Sequence, residues 1–329
     1  MRQNVRKWFL GVDGGQSSTV AVIGDETGAV KGVGKAGPCN HVAAAEARER
    51  FLGAIGGAVR AAEEAAGCLE GATGSGDVHQ RIHFEAACLG FSGGPHDKEA
   101  LTREAVRARH YLIANDAHIA LTGATGGEPG VIAIAGTGSI AYGRNAAGKT
   151  ARAGGWGYAF GDEGGAFDLV RQALRAILRH DEGWGAATSL RDTLLHATGA
   201  RDGNDLLHRF YTLDFPRSRV ASYAPLIDEA AREGDHVARE ILMSGAQALA
   251  TYVAAVRRQL FQRGEPSHTS YIGGVFASEL FRERFRLIVE LEGDSGVHPP
   301  KYGPAVGALL EAYKLGGVHE IAHGDHAGL

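Results

Sequence analysis

Cysteine is scarce in this chain of 329 residues: there are three, Cys39, Cys68 and Cys88, and no two share the C-x-x-C spacing of a zinc or iron–sulfur site. An odd number of distant thiols argues for reduced side chains rather than a disulfide framework. Long apolar runs are absent too. None approaches the roughly 20 residues needed to span a bilayer, so no membrane partner is expected. Charge of one sign is not in excess, with 34 Lys and Arg against 38 Asp and Glu and a net charge of −4. No global basic field invites nucleic acid. No Walker loop, G-x-x-x-x-G-K-[ST], occurs. The start "MRQNVRKWFLGVDGG" is basic, but its apolar part runs at once into glycines and an Asp. It lacks the apolar length and cleavage site of a signal peptide, and a cytoplasmic location is the expectation.

What is present is glycine, 49 of them, in a chain that is 44% hydrophobic and 22% charged. That is the composition of a soluble globular protein, long enough for two domains. "WFLGVDGGQSSTVAVIGDETGAVKGVG" reads as three strands broken by a Gly-Gly turn and a "DETG" turn. Residues 42–66 read as a helix. "RIHFEAACLGFSGG" is a strand ending in glycines, "ALTREAVRARH" a short helix, and "YLIANDAHIAL" a strand entering a helix at Asn115-Asp116. Then "GVIAIAGTGSIAYGRNAAGKTARAGG" repeats the opening pattern of strand, glycine turn, strand, polar turn, strand. We read it as an internal repeat of one supersecondary unit. Residues 165–180 and about 187–262 read as helical. "YIGGVFAS" is a late strand with a Gly-Gly turn, "ELFRERFRLIVELE" a helix, and "PPKYGPAVGALLEAYKLGG" a loop entering a last helix. Strands alternating with helices predict an α/β fold, and two related halves predict two lobes with a cleft.

The turns carry the chemistry. In "GVDGGQSST", Gly14 and Gly15 leave backbone N–H groups unblocked for a phosphate, beside Gln16 and Ser17. Asp13 ends the strand, where a carboxylate can hold Mg²⁺, largely through water. The competing reading is an ordinary hairpin. "IAGTGSIAYG" repeats the device with Gly136, Thr137 and Gly138. Two such turns on two lobes would clamp one triphosphate. Asp116 ends a strand, where ligands of α/β proteins gather. It is either a general base for a hydroxyl that attacks a γ-phosphate or a helix N-cap. Asn40 and Ser92 lie in small polar loops suited to sugar hydroxyls. Gly273 and Gly274 would let a flat base lie against the backbone. "GGWGYAFGDEGGAFDL" is a glycine run, but linkers lack its aromatic content. Asp162 there can accept from two hydroxyls. Glu163 either faces the same site or favours the positive end of the following helix.

Taken in order, "DGGQSST", "GPCNH", "GFSGG", "NDA", "AGTGS", "GGWGYAFGDEGG", "GGV" and "PAVGALLEA" resemble the N-acetylglucosamine kinase branch of the sugar kinase, heat-shock chaperone and actin superfamily. That branch is grouped with the BadF/BadG/BcrA/BcrD-type ATPases. The resemblance covers nearly the whole chain, and "GGWG…GDEG" is its most specific part. It implies two ribonuclease-H-like lobes of the actin-like ATPase fold, with ATP in the interlobe cleft. The lobes would be residues 1–117, completed by a C-terminal helix at about 304–316, and residues 118–303. It implies phosphorylation of an amino-sugar 6-hydroxyl, N-acetylglucosamine first and glucosamine or N-acetylmuramic acid as alternatives, with ATP and Mg²⁺ and as a homodimer. By position, Asp116 would be the base. Asn40, Ser92, Gly93, Thr137, Gly155, Trp156, Gly157 and Asp162 would contact the sugar. Asp13 would hold the metal, and Gly14, Gly15, Gln16, Ser17, Gly136, Thr137 and Gly138 the phosphates. Gly273 and Gly274 would form the adenosine turn. The first motif departs at Gln16, where a third glycine is frequent, and at Ser17, where Thr is usual. Residues 186–222 carry no motif. An activating ATPase of the same broad family would need cysteines near the second phosphate turn, and Val131 to Gly143 has none. A sugar-responsive repressor would need a DNA-binding segment, for which no room is expected before Phe9. An actin-type filament would turn over ATP without sugar stimulation.

Overall fold

The computed structural model describes residues 6–39, 44–68, 82–92, 98–291 and 295–318. The chain divides into two compact units, Met1–Glu128 with Pro300–Leu329, and Pro129–Pro299.

Unit 1 begins with three antiparallel strands, β1 (Trp8–Gly14), β2 (Thr19–Asp25) and β3 (Val30–Ala36), followed by α1 (Ala44–Ala65). Then come β4 (Phe84–Phe91), α2 (Glu99–Ala105), β5 (Ala108–Asn115) and α3 (Asp116–Thr125). The sheet order is β3-β2-β1-β4-β5, with β4 parallel to both β1 and β5. Strand β1 reads as an almost unbroken apolar run because both of its faces are covered. Leu10 and Val12 face a core with Ile55 and Leu89 under α1. Phe9 faces the opposite core with Ile119 of α3 and Leu309 and Tyr313 of the last helix of the chain. That last helix, α11 (Pro304–Leu315), presses so close to the sheet that a Cβ on Gly11 would stand 2.2 Å from the Leu309 nitrogen. Buried Glu311 ties it to α3, accepting from the Thr122 hydroxyl at 2.6 Å, with His118 Nε2 3.1 Å away.

The boundary read from sequence after residue 117 cuts through α3, whereas the structure keeps this helix whole in unit 1. Its apolar side, led by Ile119, is buried with β4 and α11. The entry to α11 joins the same unit from Pro300 rather than residue 304. The amides of Lys301 and Tyr302 donate to the Ala124 and Gly123 carbonyls at 3.0 and 3.1 Å.

Unit 2 repeats the topology. Its antiparallel meander is β6 (Gly130–Ala135), β7 (Ser139–Arg144) and β8 (Thr150–Gly154). A helical stretch follows: α4 (Ala166–Asp181), α5 (Leu190–Thr198), α6 (Gly203–Phe210), α7 (Arg217–Ala221), α8 (Ala224–Arg232) and α9 (His236–Leu260). Then β9 (Ser267–Ile272) pairs parallel with β6 and, after α10 (Glu279–Glu290), with β10 (Ser295–His298). The order β10-β9-β6-β7-β8 matches unit 1 strand for strand, with β6 in the place of β1 and β9 in that of β4. The repeat read from the sequence is thus a repeat of topology. The four-residue β10 was not read from the sequence, being too short to show a period. One core, including Val131, Leu169, Leu249 and Phe281, joins the sheet of unit 2 to its helices.

Candidate active site

The residues singled out above gather into two clusters, one in each unit. In unit 1 the register sets Asp13 opposite Gly90, and Gly90 opposite Ala114. Asp13, Ser92 and Asp116 therefore stand at or just beyond the carboxyl ends of three adjacent parallel strands, where open α/β sheets bind ligands. Between β1 and β2 the chain turns through Gly15–Ser18, the Gly15 amide donating to the Ser18 carbonyl at 3.0 Å. Gln16 and Ser17 are exposed at its tip. Asn40 and Gly93 lie outside the described residues.

Asp116 is not the helix cap. Asn115 has the extended backbone of an N-cap, and its Oδ1 accepts from the His118 amide at 2.7 Å. Asp116 is the first helical residue, and its Oδ1 accepts from the Ala117 amide at 2.8 Å. With the cap supplied by its neighbour, this carboxylate is free for other chemistry. Burial raises its pKa above the ordinary carboxylate value, opposed by that backbone hydrogen bond and by the positive charge of Lys98. Lys98 was not singled out in the sequence. Its Nζ donates to the Ser92 carbonyl at 2.8 Å and lies 5.3 Å from the centre of the Phe91 ring.

Asp13 is pushed up to about 6, first by burial and then by the negative charge of Asp116. This carries a stability prediction for protein stripped of divalent metal. The unfolded state loses the Asp13 proton near 3.8 and the folded state near 6. Folding stability therefore falls across that interval as pH rises, by about 3 kcal/mol from this group. Asp13→Asn removes the effect. With chelator present, the variant melts above wild type at pH 7.5, and the gap closes by pH 4. A gap that does not change with pH would refute the buried-charge account.

In unit 2 the second turn and the glycine-rich loop fold onto each other. The Gly136 amide donates to the Gly138 carbonyl at 3.0 Å and closes the turn. The Gly136 and Thr137 carbonyls accept from the Ala166 and Phe167 amides at 2.8 and 3.1 Å. The turn thus supplies partners to the first amides of α4, whose cap position, Gly165, has no side chain to do so. Ser139 Oγ donates to the Glu163 carbonyl at 2.6 Å, and the Gly155 amide to the Ser139 carbonyl at 2.9 Å. Left-handed backbone at Gly154, Gly155, Gly157 and Gly164 lets the loop wrap this closely.

Asp162 is the only non-glycine residue with positive φ among the described residues, at 64°, and it is 5% exposed. Its carboxylate fills the space beside Gly138, where a Cβ would meet Oδ2 at 2.5 Å. Its Oδ2 accepts from Arg217 Nη2 at 3.1 Å. Arg217 comes from the helical region that carried no motif. Trp156, Tyr158 and Phe160 are exposed, with the Arg152 guanidinium 4.4 Å above the Trp156 ring. Glu163 has a partner that the sequence did not show. Its carboxylate accepts from the Tyr252 hydroxyl, anchoring the loop to α9 and, together with burial, pushing the Tyr252 phenol up. Asp168 braces the loop from α4, accepting from the Gly164 amide at 3.1 Å, Arg171 at 2.5 Å and Gln172 at 2.9 Å. Gly273, at the end of β9, packs on the second turn, a Cβ there standing 2.2 Å from the Ala135 carbonyl oxygen. It is followed by a 3-10 turn, Gly274–Ala277.

No helix among the described residues is long and apolar enough to cross a membrane. No group of three or more His, Cys, Asp or Glu among them is placed to hold a metal. A cation at Asp13 would therefore draw its other ligands from water and phosphate. The site fits one: a carboxylate destabilised by burial and by a neighbouring carboxylate is relieved by a divalent charge.

Two repeats of a five-stranded mixed sheet, each with a glycine turn between its first two strands, define the α/β fold of the actin-like ATPases and sugar kinases. The solved structure of a Chromobacterium violaceum protein described as an N-acetylglucosamine kinase shares the fold, with a TM-score of 0.73 and 24% identity over 92% of this chain and 98% of that one. The BadF/BadG/BcrA/BcrD ATPase family matches residues 10–312, and the chain belongs to that family. An N-acetylmuramic acid/N-acetylglucosamine kinase of Clostridium acetobutylicum is 31% identical over 225 residues, 66% of this chain and 74% of that protein. An N-acetyl-D-glucosamine kinase of Dictyostelium discoideum is 30% identical over 281 residues, 81% of this chain and 84% of that protein.

Proposed function

We propose that this chain is an ATP-dependent kinase acting on the 6-hydroxyl of an amino sugar, N-acetylglucosamine foremost. The observation that carries the reading is Asp162: a buried carboxylate in a left-handed backbone conformation, packed on the second phosphate turn at Gly138. Strained non-glycine backbone held by its surroundings is characteristic of ligand sites. The two relatives named above, both N-acetylglucosamine kinases by name, support the substrate.

In this reading Asp162 and the backbone of Gly155 and Gly157 bind sugar hydroxyls, with Trp156 as a wall and Ser92 and Thr137 as further polar contacts. Asn40 and Gly93 are assigned to the sugar as well. The glycine turns at Gly14–Ser17 and Gly136–Gly138 let phosphate oxygens approach the backbone, with the Gly138 amide and the hydroxyls of Ser17 and Thr137 as donors; the Gly15 and Gly136 amides, read from the sequence as open to phosphate, instead close their own turns. Gln16 flanks the first of these turns, and Gly273 and Gly274 receive adenosine. Asp13 would hold Mg²⁺, whose charge would offset that of the phosphates. Asp116 orients the 6-hydroxyl and takes its proton as the new O–P bond forms and the bond to the β-phosphate oxygen breaks, releasing ADP. A cytoplasmic location and a homodimer belong to the proposal, and light scattering checks the second.

The test is ADP release with Mg-ATP over N-acetylglucosamine, glucosamine, N-acetylmuramic acid and glucose. N-acetylglucosamine is expected to give the highest kcat/KM, with phosphate at O6 of the product. ADP release that no sugar stimulates would overturn the reading.

A further inference from the structure

Arg217 is more than a counter-ion. Only one of its donors is engaged by Asp162, through Nη2 at 3.1 Å. Its Nε is buried and makes no hydrogen bond. Its guanidinium carbon lies 5.1 Å from the centre of the Tyr158 ring and 5.8 Å from that of Phe167, so an aromatic pair flanks the group and limits where it can swing. The side chain is still 34% exposed, while that of Asp162 is 8% exposed. A guanidinium has five N–H donors in a rigid fork that matches a carboxylate, and one already flanked by rings and tied to Asp162 loses little freedom on binding. Neutralising Asp162 requires none of this spare capacity.

We infer that Arg217 is a specificity-determining residue that reads a carboxylate carried on the amino sugar, so that an acidic 2-acylamino sugar is a substrate beside the neutral one. This rests on the kinase reading, with Asp162 in the sugar site. Asp162 accepts hydroxyl protons of the ring, and the free edge of Arg217, on the same carboxylate, receives the acidic substituent. An aliphatic side chain at 217 would leave that substituent without a partner.

The probes are N-acetylmuramic acid, whose lactyl ether bears a carboxylate, and N-acetylglucosamine, which lacks it. Wild type is expected to phosphorylate both. Arg217→Met should lower kcat/KM for both, because Asp162 loses its partner. The loss on N-acetylmuramic acid should be roughly tenfold to a hundredfold greater, the range of a hydrogen bond to a charged group. Arg217→Lys keeps the charge without the fork and should recover part of that preference. It also serves as the folded comparison should the Met variant be unstable. Equal losses on the two sugars in both variants would make Arg217 a structural partner of Asp162 and overturn the inference. So would a wild-type protein active on N-acetylglucosamine alone. Activity on neither sugar would overturn the kinase reading itself, a separate outcome.

Discussion

Replacing Asp116 by Asn lowers kcat at least ~100-fold and leaves the fold intact, the usual contribution of a positioned general base being ~10²–10⁴-fold. The fold survives because the side chain is not the helix cap: Asn115 fills that role with its own Oδ1. An Asn at 116 keeps an oxygen for the Ala117 amide, which Asp116 Oδ1 now accepts at 2.8 Å. It forfeits a negative charge at a helix N-terminus, typically ~0.3–1 kcal/mol, but removes a half-buried charge, and the two effects oppose. The variant also ceases to push up the pKa of Asp13, since the charge of Asp116 is one of its causes. Turnover must fall for a different reason, the loss of a proton acceptor for the sugar hydroxyl. The measurements are ADP release at saturating sugar and ATP, and thermal melting of both proteins. Turnover near wild type in a folded Asp116→Asn protein would remove Asp116 from the chemistry.

The two meanders were legible because glycine and polar turns punctuate apolar runs at matching places in both halves. Strand β10 was not, because "SGVH" in Ser295–His298 is too short to show alternation. The sequence placed Asp116 at a strand end before a helix but could not separate base from cap. Asn and Asp are both good caps, and only backbone angles show that Asn115 holds the position. Arg217 was illegible for another reason. It meets Asp162 across 55 residues, and nothing local distinguishes it from the many other basic residues of the chain. Long-range pairs between a loop and a distant helix leave no period and no motif. The loop itself was recognised by its aromatic content, but its need for glycine was traced to sugar contact alone. The structure adds a packing cause: the loop lies against the turn at Gly136–Ser139, and a side chain at Gly138 would collide with Asp162.

That packing decides how Asp162 should be tested. Alanine is a poor choice, because Asp162 has φ 64° and faces the guanidinium of Arg217. Ala tolerates the left-handed region badly, and its lack of an acceptor would strand a partly buried cation. Asn is nearly isosteric, enters the left-handed region readily and keeps one oxygen toward Arg217. Asp162→Asn is therefore expected to fold with a melting temperature within a few degrees of wild type. What it loses is charge at the sugar. Hydrogen bonds to a charged acceptor contribute ~1.5–3 kcal/mol, against ~0.5–1.5 kcal/mol for neutral ones. With two sugar hydroxyls on one carboxylate, the sugar KM should rise roughly tenfold to a hundredfold or more. Affinity for ATP, measured without sugar, should stay within about twofold, since the turn at Gly136–Gly138 keeps its own hydrogen bond and its contacts with α4. Sugar and nucleotide weakened to the same degree in a stable Asp162→Asn protein would show that this carboxylate shapes the turn rather than binding the sugar. A steep rise in sugar KM alone assigns the left-handed aspartate to the substrate.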